Sequence, residues 1–111
     1  MASWIAQAVV RYAGAMHRRG YVYILASQKN GTLYTGVTSD LAGRLYQHQT
    51  DTGSKFAARY GVKRLVWFDE YELIVDAIAR EKAIKKWPRA WKIKLIEENN
   101  PHWQDISWHL L

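Results

Sequence analysis

The chain predicts a small α+β domain: a three-stranded, mainly antiparallel sheet flanked by helices in the order ββαβαα. Three observations carry that prediction. Tyr21-Val22-Tyr23-Ile24-Leu25 and Thr32 to Thr38 are dense in aromatic and β-branched residues and flank a turn-forming stretch, which marks a hairpin. Leu65-Val66-Trp67-Phe68 is a third run of the same kind. Apolar residues at helical spacing fill the segments after the hairpin and after the third run.

Each element has its own signal. Residues 1–19 read as an N-terminal extension, either a short amphipathic helix or a loose segment. MASWIAQAVVRYAGAMH holds an Ala-Gly-Ala, as a signal peptide does, but it lacks a basic leading segment and Arg11 interrupts its apolar run. Met16 is an alternative start to Met1. Ser27 to Gly31 is the hairpin turn, with Asn30-Gly31 as its best dipeptide. Thr38-Ser39-Asp40 offers capping oxygens to a helix over Leu41 to Gln49. Thr50 to Gly61 reads as a polar, glycine-containing loop. Glu72 to Lys86 places Ile74, Ala77, Ile78 and Ile84 at helical period. Pro88 ends that helix or begins the next, which runs to about Glu98. Asn99-Asn100-Pro101 then breaks the chain. The expected domain spans 20–105, with a tail over 106–111 and no repeat or interdomain linker.

Composition narrows the function classes. The chain has 111 residues, six Trp, seven Tyr and no cysteine. The aromatics let a small core bury a large area, while disulfides and thiolate metal sites are excluded. That suits a reducing cytoplasm, the expected location. No apolar stretch approaches the length of a membrane span, so no membrane partner is expected. Sixteen basic residues against ten acidic ones give a formal charge of +6. Such an excess favours a polyanionic partner, nucleic acid first.

Three sets of side chains offer chemistry. An even-numbered hairpin loop pairs odd residues of one strand with even residues of the other, which puts Tyr23 and Tyr34 on one face. Gly36 on that face leaves room for a backbone or a ligand. Strand tyrosines also simply pack. Arg44 and His48 are four apart and share a helix face. The arginine fork suits a phosphate and the imidazole suits proton transfer, although both also read as a solvated helix flank. Glu81 falls on the apolar stripe of its helix, where a carboxylate is costly unless paired or metal-bound. Lys85 one turn on is one partner; a hard divalent ion, Mg²⁺ or Mn²⁺, is the other.

The order of these residues resembles the GIY-YIG nuclease family. Tyr21-Val22-Tyr23, then ten residues, then Tyr34-Thr35-Gly36, is similar to the two tripeptides that name it. Asp40-Leu41, Arg44 and His48 in R-x-x-x-H spacing, Glu81, and Asn100 within N-P-x-W-x-D continue the likeness from about Gly20 to Asp105. It is most like the short bacterial members related to the nuclease domain of the excision-repair incision subunit. Two departures stand out: Tyr21 replaces the first glycine, although Gly20 precedes it, and Val37 stands where many members have lysine. Lys55 is a candidate substitute for that cation.

The resemblance implies roles. Tyr23 would be the general base that activates water, and Tyr34 would position the water or replace Tyr23. Arg44 would hold the scissile phosphate, His48 would relay a proton or steady the base, and Asn100 would anchor the site. Glu81 would hold one Mg²⁺ or Mn²⁺ per site. Lys55, Arg59, Lys82, Lys85, Lys86, Arg89 and Lys92 are the candidate contacts to DNA. The implied activity is a metal-dependent DNA endonuclease in repair or recombination, with no small-molecule cofactor. Two other readings stay open: a non-catalytic module that binds branched or damaged DNA, and a nuclease subunit that a protein partner targets or activates.

Overall fold

The computed structural model of the chain describes residues 18–50 and 55–110; the N-terminal segment read above as a helix or extension falls almost wholly outside them. Strands β1 (Gly20–Ala26) and β2 (Leu33–Thr38) form the hairpin, followed by helices α1 (Leu41–Gln49) and α2 (Lys55–Tyr60). Strand β3 (Arg64–Tyr71), helices α3 (Ile74–Lys85) and α4 (Arg89–Asn99), and a 3-10 turn over Ser107–Leu110 complete the order. The sheet runs β2-β1-β3 with both pairings antiparallel. The expected architecture is what the chain adopts.

One element was not legible. The stretch read as a polar loop holds α2, KFAARY. Its residues are mostly good helix formers, and Phe56 and Tyr60 meet at i, i+4 with tilted rings, 4.8 Å between centroids. The helical signal was masked by the polar residues before it.

Local chemistry explains the boundaries. Asn30 takes φ 59°, a left-handed conformation that asparagine tolerates, and the Gly31 amide donates to Gln28 O at 2.9 Å. Asp40 caps α1, its Oδ1 accepting the Gly43 amide at 3.1 Å. Gly20 sits where α3 crosses β1: a Cβ there would lie 2.8 Å from Ala77 Cβ and 2.7 Å from Ile74 Cα. Only glycine permits that approach.

The sheet separates two cores. Val22, Ile24 and Ala26 face Ala77, Ile84, Ile96 and Trp103, so α3 and α4 cover this side. Tyr23 and Leu25 face Leu41, Leu45 and Val62, with Ile106 and Leu110 of the tail closing the edge. Fully burying one such leucine contributes about 2 kcal/mol, so Leu41 and Leu45 fix α1 against the tyrosine face. The tail is therefore packed on the domain, and the Ile106 amide donates to Leu65 O at 2.8 Å.

Among the described residues, no helix is long and apolar enough to cross a membrane.

Candidate active site

The hairpin pairs Tyr23 with Gly36 and Leu25 with Tyr34, the parity an even loop requires. The two tyrosines lie diagonally on one face, ring centroids 6.3 Å apart. Gly36 does make room, but for Tyr23 itself. A Cβ at position 36 would lie 2.5 Å from Tyr23 Cζ and collide with the phenol oxygen. The phenol thus lies flat across a glycine, fully buried, with Tyr34 half-buried beside it.

Helix α1 supplies the third ring. Its inward residues are Leu41, Leu45 and His48, at i, i+4 and i+7. His48 is 2 % exposed, and its Nε2 is 3.1 Å from the Tyr23 hydroxyl. The imidazole also meets Tyr34 edge-on at 5.2 Å. Burial lowers the His48 pKa, and the Arg44 guanidinium lowers it further, so the ring is neutral at pH 7. His48 Nδ1 is buried without a hydrogen-bond partner. A proton there would be an orphaned buried donor, which is costly. The neutral tautomer that avoids this carries its proton on Nε2 and donates to the Tyr23 oxygen.

Charge around Tyr23 is divided. Burial raises its pKa strongly, Tyr34 and Glu81 add to the rise, and Arg44 opposes it. Tyr23 is therefore a neutral phenol at rest. Arg44 of α1 and Glu81 of α3 thus act on its charge in opposite directions.

Glu81 behaves as its place on the stripe foretold. Ile74, Ala77, Glu81 and Ile84 are the buried residues of α3, and Glu81 is 8 % exposed. Its Oε1 accepts from Lys85 Nζ at 3.0 Å. The alternative partner weighed from the sequence is thus engaged, through a lysine side chain that is itself 54 % exposed. Among the described residues, no group of three or more His, Asp or Glu side chains gathers to hold a metal. A single buried carboxylate fits Mg²⁺ or Mn²⁺, which keep most of their waters, and does not fit an all-protein cage.

Asn100 lies elsewhere in the architecture. Its Nδ2 donates to Val66 O at 3.0 Å and Gln104 O at 2.8 Å, and its Oδ1 accepts from the Gln104 amide at 3.0 Å. Val66 is the residue that a bulge in β3 leaves without a partner on β1. Asn100 therefore satisfies the bulge carbonyl and holds the turn in which buried Trp103 takes φ 56°. None of its hydrogen bonds reaches the tyrosine cluster, so its contribution is to hold β3 in place.

The basic candidates divide in the same way. Lys55 and Arg59 are exposed on α2, and Phe56 of that helix stacks on Tyr34 at 6.3 Å. Lys82, Lys85 and Lys86 are exposed on α3 and its end, and Lys92 is half-buried on α4. Arg89 is engaged: its Nη2 donates to Asn30 O at 3.0 Å and Gly31 O at 2.6 Å, tying α4 to the hairpin. Sequence reasoning passed over Phe56 and Tyr60, which extend the aromatic row outward from Tyr34. Their i, i+4 spacing between Lys55 and Arg59 was the available signal. Tyr21 packs against the same core face as Tyr23, and its hydroxyl donates to Glu70 Oε1 at 3.3 Å.

The chain is similar to known proteins. A family model described as the GIY-YIG catalytic domain matches residues 19–94. A UPF0213 protein of Oceanobacillus iheyensis is 37 % identical over 82 residues, covering 74 % of this chain and 94 % of that one. One from Clostridium perfringens is 39 % identical over 80 residues, 72 % of this chain and 85 % of that one. The solution NMR structure of a UPF0213 protein from Bacillus halodurans is similar with a TM-score of 0.50 at 29 % identity, covering 80 % of this chain and 94 % of that one.

Proposed function

This chain belongs to the GIY-YIG family, and from that premise we propose that it is a metal-dependent DNA endonuclease acting through Tyr23, Tyr34, Arg44, His48 and Glu81. The observation that carries the reading is the buried Tyr23–His48 contact at 3.1 Å, on a phenol that feels the charges of both Arg44 and Glu81. A packing tyrosine has no need of a polar ring on its oxygen and a charge of each sign nearby.

Each residue does separate work. Tyr23, after its phenol proton is lost to solvent, takes as phenolate the proton from the attacking water. His48 steadies that phenolate by donating from Nε2, and Arg44 offsets its charge. Tyr34, on the same face and half-buried, orients the water. The planar fork of Arg44 grips the scissile phosphate and meets the charge that grows on it. Glu81 would hold the divalent ion once Lys85 swings aside into solvent, and the chemistry supplied there would be charge stabilisation of the leaving oxygen. Lys55, Arg59, Lys82, Lys86 and Lys92 neutralise backbone phosphates on either side, and Lys85 joins them once released. The context is DNA repair or recombination in the cytoplasm.

One observation favours a second reading. The Glu81–Lys85 pair satisfies the carboxylate without any metal, as a non-catalytic DNA-binding module would allow. Nicking of a supercoiled plasmid with EDTA, Mg²⁺ or Mn²⁺ separates the two. A nuclease relaxes the plasmid only with metal. A binder retards it under every condition and leaves it supercoiled, and that result would remove the catalytic proposal.

A further inference from the structure

The outer face of α4 carries a groove that the tyrosine cluster does not use. Trp91, Lys94, Leu95 and Glu98 recur at i, i+3, i+4 and i+7, and with Arg80 and Trp87 of the α3 end they line an opening of about 390 Å³. Trp91 is 58 % exposed and adjoins Trp87 and Leu95, so the groove presents a contiguous apolar wall to solvent. Trp87 and Trp91 meet edge to face at 5.9 Å, and the Arg80 guanidinium lies 5.0 Å over the Trp87 ring. One tryptophan is thus capped by a cation while the other offers its surface to solvent. Between residues 74 and 99 the chain places seven lysines and arginines against four carboxylates, so the surroundings attract anions.

We propose that this groove is an accessory nucleotide site, in which a planar base stacks on Trp91 and its phosphate lies on Lys94. Stacking on an exposed aromatic beside a cation is the chemistry by which proteins hold unpaired nucleotides. Glu98 adds a hydrogen-bond acceptor for an exocyclic amino group, which favours adenine or cytosine over thymine. The same carboxylate opposes an acidic peptide lying along the groove. Arg80 and Glu81 are consecutive on α3, about 100° apart around the helix, so the groove borders the carboxylate without sharing its opening. The nuclease reading enters only as the natural source of nucleotides; binding itself needs neither metal nor cleavage.

The test is fluorescence anisotropy of a labelled twelve-residue dA single strand in EDTA, with adenosine 5′-monophosphate as competitor, on wild type, Trp91→Ala and Trp91→Phe. Loss of one stacked base predicts affinity about tenfold weaker for Trp91→Ala, largely restored in Trp91→Phe. Competition by the mononucleotide, itself lost in Trp91→Ala, identifies a free-nucleotide site. No competition, with the strand effect intact, identifies a nucleotide within a strand. Equal affinity of wild type and Trp91→Ala for both probes overturns the proposal and leaves the groove to a peptide partner. Because Trp91 is exposed, circular dichroism should show both variants folded. Plasmid nicking with metal is scored separately, so failure of the nuclease reading stays distinguishable from failure of this one.

Discussion

Replacing Gly36 with alanine tests the link between hairpin geometry and chemistry. The new methyl would lie 2.5 Å from Tyr23 Cζ, where ordinary contact begins at 3.4 Å. The phenol must therefore move by about 1 Å, a displacement of the size that costs on the order of 100-fold in a positioned reaction. It cannot move freely, because Tyr23 is 0 % exposed and packed with Leu41 and Leu45. Overpacking a core typically costs about 1–3 kcal/mol, and stretching the 3.1 Å bond to His48 leaves polar atoms unmatched in the interior. We expect Gly36→Ala to lose about 2 kcal/mol and melt roughly 10 °C lower. At a temperature where it remains folded, its single-turnover nicking should be about 100-fold slower at nearly unchanged DNA affinity. Thermal melting by circular dichroism and single-turnover cleavage supply the two numbers. A variant that melts and cuts like wild type would refute the placement of Tyr23 over Gly36 and its role as base.

Three further outcomes follow from the site. Burial raises the Tyr23 pKa, so the phenolate fraction at neutral pH is small and grows tenfold per pH unit; the logarithm of the single-turnover rate should rise with unit slope to pH 9 without a plateau, whereas a plateau near pH 7 would assign the base elsewhere. His48 has its folded pKa lowered, so its stability contribution is present above about pH 6.5, the unfolded value, and lost as pH falls through the folded one; denaturant titrations should show that loss in wild type and not in His48→Gln. Arg44→Lys keeps the charge and loses the fork, so cleavage should fall about 100- to 1,000-fold while affinity holds, with equal rates moving Arg44 to a solvated flank.

Much of this was legible in the chain because its signals are local. Runs of β-branched and aromatic residues marked the strands, and the parity of an even loop placed Tyr23 and Tyr34 on one face. The stripe of α3 exposed Glu81 as an anomaly, and its burial agrees. What escaped depends on distant contacts. Residues 100 and 66 meet only once β3 bulges and the tail folds back, so the task of Asn100 in holding that bulge has no sequence period to announce it. The hold of Arg89 on the hairpin joins positions nearly sixty residues apart. Gly36 reads as space for a backbone or a ligand because a lone glycine says only that something approaches closely; that the visitor is Tyr23 follows from the register.

If the single buried carboxylate of Glu81 makes the cut metal-dependent, Glu81→Gln removes that dependence at its source. Glutamine keeps the size and the hydrogen-bonding oxygen and removes the charge proposed to hold Mg²⁺ or Mn²⁺. Plasmid nicking is to be measured across a metal titration for wild type and Glu81→Gln, with circular dichroism to show that both are folded. Wild type should nick only with metal, and the variant should not exceed the EDTA background. Equal nicking by the folded variant would contradict this and leave Glu81 as the ion-pair partner of Lys85.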